Sequence, residues 1–235
     1  AGAAASARFN MRAVELLKSY VAERPEERLA LAAFHARQRE FDAALTLLEA
    51  NWRAAKPEEV SNVVLTLVGT ATAAPGQLDR AVRVLEAAIT EQNRPVPLLM
   101  ALADLHSWSE NYEEAEKLYR EVLERESRHV VALNNLALLL GFLSQDRAEA
   151  VALIDRAIEV VGFSPVLLDS RATIHLTAGD LQKALDDSAP AIQAQRSGAA
   201  LFHFAFINSR LGRDGVAREA LAECLEAGLD ASDLH

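Results

Sequence analysis

Seven alanines punctuate this chain at near-constant intervals, and that spacing limits its possible folds more than any other feature. Ala13, Ala44, Ala81, Ala115, Ala150, Ala184 and Ala217 are separated by 31, 37, 34, 35, 34 and 33 residues, a mean of 34. Twelve residues before five of them, and thirteen before Ala150, stands a second small residue: Ala32, Gly69, Ala103, Ala137, Ala172 and Ala205. Two antiparallel helices of about 13 residues, a short turn and a link onward consume about 34 residues. Small residues belong where two such helices cross closely, one on each. Larger apolar residues flank the crossing: Leu65/Val68, Leu99/Leu102, Leu133/Leu136 and Leu201/Phe204 on first helices, and Leu48, Leu85, Tyr119, Ile154 and Leu221 on second helices. An alanine-rich chain fills any one slot cheaply. Thirteen slots in step with turns and apolar positions are a true repeat.

Composition agrees. About half the chain (51%) is apolar but only 6% aromatic, so the core is built mainly from Ala, Leu and Val. Seven Pro and ten Gly give little material for the many turns of an all-β fold, and all-α is the expected class. The breakers fall where hairpin turns are needed, at Pro75-Gly76, Glu110-Asn111, Ala178-Gly179-Asp180 and Leu211-Gly212-Arg213. Asn111 with Glu113 and Glu114 resembles a helix start, and Gly228 suits the stop of the last helix.

The pattern resembles the tetratricopeptide repeat. The clearest unit spans residues 96–129, with Leu99, Leu102, Ala103, Tyr112, Ala115, Tyr119 and Val122 in register, and Pro25 sits at the expected end of a first, partial unit. The resemblance covers nearly the whole chain. Leu mostly stands where the family has Trp (Arg28 in the first full hairpin), one residue is inserted near 144–147, and residues 54–59 lengthen one link. It implies a right-handed superhelical α-solenoid of antiparallel hairpins forming one repeat domain, 1–235. A half repeat at 7–24 precedes hairpins at about 25–57, 58–95, 96–129, 130–164, 165–197 and 198–228, with a tail at 229–235. The half repeat and the uncapped tail read as cut ends of a longer protein, each a sticky flank for self-association.

The resemblance also implies function: a scaffold that binds a peptide or protein segment along a concave face lined by first helices. On that face it places Arg37, Thr66, Thr70, Asp104, Trp108, Asn134, Asp169 and Arg210, together with Met100, Leu138, Thr173, Phe202 and Phe206. The alternative for each is a solvated or simply packed residue. Trp108 leads, because a partly exposed indole offers area and a donor, though it fits equally a role in closing the turn before Asn111. Family members that clamp a C-terminal carboxylate use Lys and Asn on successive first helices. Here Asn134 stands at a suitable slot, but Met100, Asp104 and Asp169 occupy the others, which favours a neutral or basic ligand. A different class of function is an assembly element whose repeats stack on neighbours or on another copy. A third is a recruiting domain fused to an enzyme outside these residues.

Other chemistries have no residue set behind them. A net charge of −10, a pI near 5.1 and four scattered lysines disfavour nucleic acid. The single Cys224 reads as a packed small hydrophobe, compatible with a reducing cytoplasm or with a disulfide-free exported chain. No apolar run approaches a membrane span. High Ala and Arg with little Lys fits a GC-rich bacterial genome. His35, His106 and His175 share one repeat slot, three residues after the small residue, in different hairpins. They read as core or groove-wall side chains. His129, His203 and His235 have no partners at ligand spacing. No cofactor loop or nucleophilic elbow is present, and the chain is not expected to be an enzyme. The acid pairs Glu26-Glu27, Glu58-Glu59 and Glu113-Glu114 begin helices, where the macrodipole favours them. In the fifth hairpin Arg171 and Ser188 replace large apolar residues and Pro190 sits inside a helix, which predicts a kink. Arg171 is expected to pair with Asp186 or Asp187 across the hairpin, or else to serve a binding role.

Overall fold

A computed structural model describes residues 2–24, 27–69, 73–143 and 146–226, with the side chains of 2–11 left out. Pro25, Thr70, Ser144, Gly228 and the tail lie outside the described residues. Thirteen α-helices and no strand occur among the described residues: α1 (Gly2–Glu23), α2 (Arg28–Arg37), α3 (Phe41–Asn51), α4 (Pro57–Val68), α5 (Pro75–Glu91), α6 (Val96–Trp108), α7 (Tyr112–Arg125), α8 (Val130–Leu143), α9 (Arg147–Val161), α10 (Pro165–Thr177), α11 (Leu181–Ala194), α12 (Gly198–Arg210) and α13 (Asp214–Glu226). The chain is all-α. It forms two compact units, residues 1–118 and 119–235.

In the first unit α2 pairs with α3, α4 packs on α2 and α6, and α5 lies against α3 and α6. The paired small residues do what their size allows. Ala32, Ala44 and Ala103 are wholly buried and Ala81 nearly so, and Leu45, Leu48, Val64, Leu85 and Leu99 of the same unit are buried with them. Each buried leucine stabilises by about 1.5–3 kcal/mol relative to an exposed one. The slot breaks at Gly69, which is exposed and lies just past the end of α4. That helix buries Val60, Val63, Val64, Leu67 and Val68, so Leu65 is turned outward at 39% exposure. Proline at the first position, with Glu59 accepting the Lys56 N–H at 2.9 Å, starts α4, and Gln77 accepts the Ala74 N–H at the same place in α5.

In the second unit α8/α9, α10/α11 and α12/α13 are antiparallel hairpins, with α10 between α8 and α12. Ala137, Ala150, Ala172 and Ala184 have no exposed surface, Leu133, Leu136 and Ile154 are fully buried as well, and Ile207 packs with Ala172 and Ala184. Leu221 departs from its expected crossing role, being 40% exposed on α13. Pro190 sits within α11, which continues through Ala194. Proline has no N–H to give the Asp186 carbonyl one turn back.

Four hairpin turns are built alike. The carbonyls of His35, His106, His175 and Asn208 accept the N–H of Glu40, Asn111, Asp180 and Arg213 at 2.9, 2.8, 2.9 and 2.9 Å. The residue before each donor, Arg39, Glu110, Gly179 or Gly212, takes the left-handed conformation with φ of 62°, 59°, 82° and 72°. This arrangement satisfies carbonyls that a helix end would leave bare.

The candidate peptide-binding face

The side chains that the resemblance assigns to a binding face differ in what they do. In the first unit Arg37, the last residue of α2, is exposed. Thr66 is half-buried and donates to the Asn62 carbonyl of its own helix at 2.7 Å. Met100 is buried in the core, whereas Asp104 and Trp108 on α6 are half-buried. Thr70 lies outside the described residues.

In the second unit α8, α10 and α12 present a more defined surface. Asn134 and Asp169 are each the fifth residue of their helix, and Phe202 holds that place on α12. Asn134 donates to Asn135 Oδ1 at 3.1 Å, while its own Oδ1 is buried without a donor. One oxygen of Asp169 meets His203 Nδ1 at 2.9 Å, and the other is buried without a donor. The Thr173 hydroxyl donates to the Asp169 carbonyl, and Leu138 is half-buried. Beyond them lies an open cavity of about 350 Å³ on α12 and α13, lined by Phe202, Ala205, Phe206 and Leu221 with Ser209, Asp214, Ala217 and Arg218 at its edges. Phe206 is 45% exposed, and the exposed Arg210 guanidinium stands 6.0 Å from its ring centre. Sequence reasoning found no partner for His203. The signal was present, since His203 follows Asp169 by 34 residues, one mean repeat.

Arg171 faces another way. Its Nε and Nη2 donate to the two oxygens of Asp187 on α11 at 2.8 and 2.6 Å, and Nη1 donates to Asp155 on α9 at 2.6 Å. These carboxylates, Asp187 foremost, hold the guanidinium pKa above its ordinary value. Asp186 takes no part and instead accepts from Gln182. His175 Nε2 lies 3.9 Å from Asp187 Oδ2, and burial depresses its pKa. His35 bonds Glu40, and His106 accepts from Asn111 at 3.3 Å, so the shared histidine slot closes hairpins. Cys224 is fully buried with its sulfur 3.3 Å from the Gly198 carbonyl. Among the described residues no group of three or more His, Cys, Asp or Glu is placed to hold a metal ion, and no helix is long and apolar enough to cross a membrane.

Residues 73–139 match the tetratricopeptide repeat family. Over that stretch the chain is similar to tetratricopeptide repeat proteins. Solved structures extend the likeness in fold across most of its length. A thermophilic TPR protein of Thermus thermophilus is 18% identical with a TM-score of 0.65, covering 76% of this chain and 95% of its own. A tetratricopeptide repeat protein from Parabacteroides merdae is 20% identical with a TM-score of 0.68, covering 89% and 82%. MamA from Desulfovibrio magneticus is 14% identical with a TM-score of 0.55, covering 72% and 94%. No curated protein matches the chain in sequence.

Proposed function

We propose that this tetratricopeptide repeat chain is an interaction scaffold that holds a peptide or protein segment on the exposed side of its first helices. The observation that carries the reading is the cavity on α12 and α13, where Phe202 and Phe206 offer apolar area beside the charged rim of Arg210, Asp214 and Arg218. An exposed aromatic anchor within a polar rim is the usual energetic centre of a protein interface. Asn134 and Asp169 supply acceptors on the neighbouring helices of the same unit. The reading assigns the chain no reaction of its own.

The test is site-directed photo-crosslinking. A photoreactive residue in place of Phe206 captures the partner, and Phe206→Ala weakens its binding with little change in melting temperature. The same probe at Gln182, on the exposed side of α11, captures nothing. Equal capture at both positions would sink the reading.

An assembly role has its own support: Val216, Leu221 and Leu225 leave α13 with 42%, 40% and 67% exposure, and Leu16 and Tyr20 are exposed on α1. Light scattering separates the two. A mass that grows with concentration and reverts in Leu225→Glu favours stacking of copies, whereas a constant monomer favours the scaffold.

A further inference from the structure

We propose that Asn134, Asp169 and His203 form a recognition site for a donor-only cationic side chain, the ammonium of lysine or the guanidinium of arginine, on the bound segment. This rests on the scaffold reading and names the ligand chemistry of one part of its surface. The three residues come from α8, α10 and α12, which lie side by side in the second unit. Asn134 and Asp169 hold the same place in their helices, 35 residues apart, and His203 sits one slot further along on the next.

The hydrogen-bond inventory favours a cation. His203 Nδ1 lies 2.9 Å from one Asp169 oxygen and holds that carboxylate in place. Asp169 has a second oxygen with no donor, and so has the Asn134 amide. The set therefore offers two acceptors without donors beside the negative charge of Asp169. A buried acceptor without a donor costs about 1–3 kcal/mol, and an arriving donor relieves that cost. A carboxylate ligand would meet the like charge of Asp169, whereas an ammonium has three N–H groups to give and no lone pair to conflict. The side chains of Asp169 and His203 keep 16% and 23% of their surface exposed, and the two orphan oxygens, buried in this structure, come to the ligand by an outward turn of the carboxylate and of the Asn134 amide. Phe202, packed edge-on to His203 with centroids 6.2 Å apart, gives an apolar wall for the methylene stem.

The experiment titrates isotope-labelled protein with capped lysine, capped arginine and capped norleucine, the last matching the lysine stem without its charge. Saturable amide shifts at Asn134, Asp169 and His203 with lysine or arginine, and none with norleucine, are the expected result. Asp169→Asn weakens that binding by about tenfold or more, while Asn134→Asp, which adds a second carboxylate, tightens it. The opposite signs keep the test valid should one variant fold poorly. Equal shifts from norleucine, no shift from either cation, or unchanged affinity in Asp169→Asn overturns the proposal. Partner capture at position 206 without these shifts removes the cation site and leaves the scaffold. Shifts without capture do the reverse.

Discussion

Arg171 grips Asp187 side-on, two nitrogens against two carboxylate oxygens at 2.8 and 2.6 Å, across the hairpin of α10 and α11. Asp187 is only 8% exposed, so its charge depends on that grip. Arg171→Ala is expected to lower stability by about 2–4 kcal/mol in urea unfolding, because one buried carboxylate is stranded and Asp155 loses its donor. The double variant Arg171→Met, Asp187→Leu recovers most of the loss, since it leaves no stranded charge. Lost partner binding with an unchanged unfolding midpoint in Arg171→Ala would instead assign this arginine to recognition.

Acid should loosen the chain before its ordinary carboxylates titrate. Burial lowers the pKa of His175, offset in part by Asp187, and lowers that of His106, offset in part by Glu114 and Glu86. Unfolded, both titrate near 6.5. A depressed folded value means that the stabilisation is complete above 6.5 and is lost as pH falls through the folded pKa. Melting temperature is therefore expected to drop between pH 7 and pH 5, and His175→Gln to flatten that slope. An identical slope in the variant would clear His175.

Two turns can be improved. Arg39 and Glu110 occupy left-handed positions that Gly179 and Gly212 fill in the sister turns. Glu110→Gly and Arg39→Gly should each stabilise by about 1 kcal/mol, while Gly179→Ala should cost a similar amount. Thermal unfolding of the three variants reads the signs directly.

Arginine–carboxylate pairs lace the second helices and the link after α11. Arg80 bonds Asp42 and Glu49, Arg120 bonds Glu149 at 2.6 and 2.8 Å, and Arg196 bonds Glu223. Arg80 and Arg120 hold the pKa values of Glu49 and Glu149 below the usual carboxylate range. Exposed pairs of this kind contribute about 0.2–1 kcal/mol each and are screened by salt. Arg120→Ala is expected to cost under about 1 kcal/mol in dilute buffer and nothing measurable in molar salt. A loss that survives the salt would mean packing of the arginine stem, not charge.

How much of this was legible follows from the physics of each feature. The buried alanines were readable because close helix crossings admit nothing larger, and the turns because a left-handed residue or a proline marks the chain locally. Gly69 misled for the same reason: a small residue at the right spacing is indistinguishable from a crossing until the helix is seen to stop at Val68. Leu65 failed because the buried face of α4 is shifted by one residue. Asp187 was within reach of Arg171 by hairpin logic. Asp155 lies 16 residues before Arg171, the same separation as Asp187 after it, but on the helix that precedes the hairpin, which the pairing of α10 with α11 does not by itself bring to the arginine. The Asp169–His203 bond needed a comparison of slots between repeats, not within one. Exposure was beyond sequence altogether: nothing in the pattern separates the open Phe206 from the buried Met100.

The crossings have a consequence for how such a chain changes over time. In the pairs α2/α3, α8/α9 and α10/α11 a fully buried alanine stands on each helix, so these hairpins are alike at their centres. A gain or loss of 34 codons would therefore splice one standard part into, or out of, a chain that still closes its core. The irregular members, the Arg171 clasp and the Asp169–His203 bridge, are the ones such an exchange would discard, and they mark the place where this array has stopped being interchangeable.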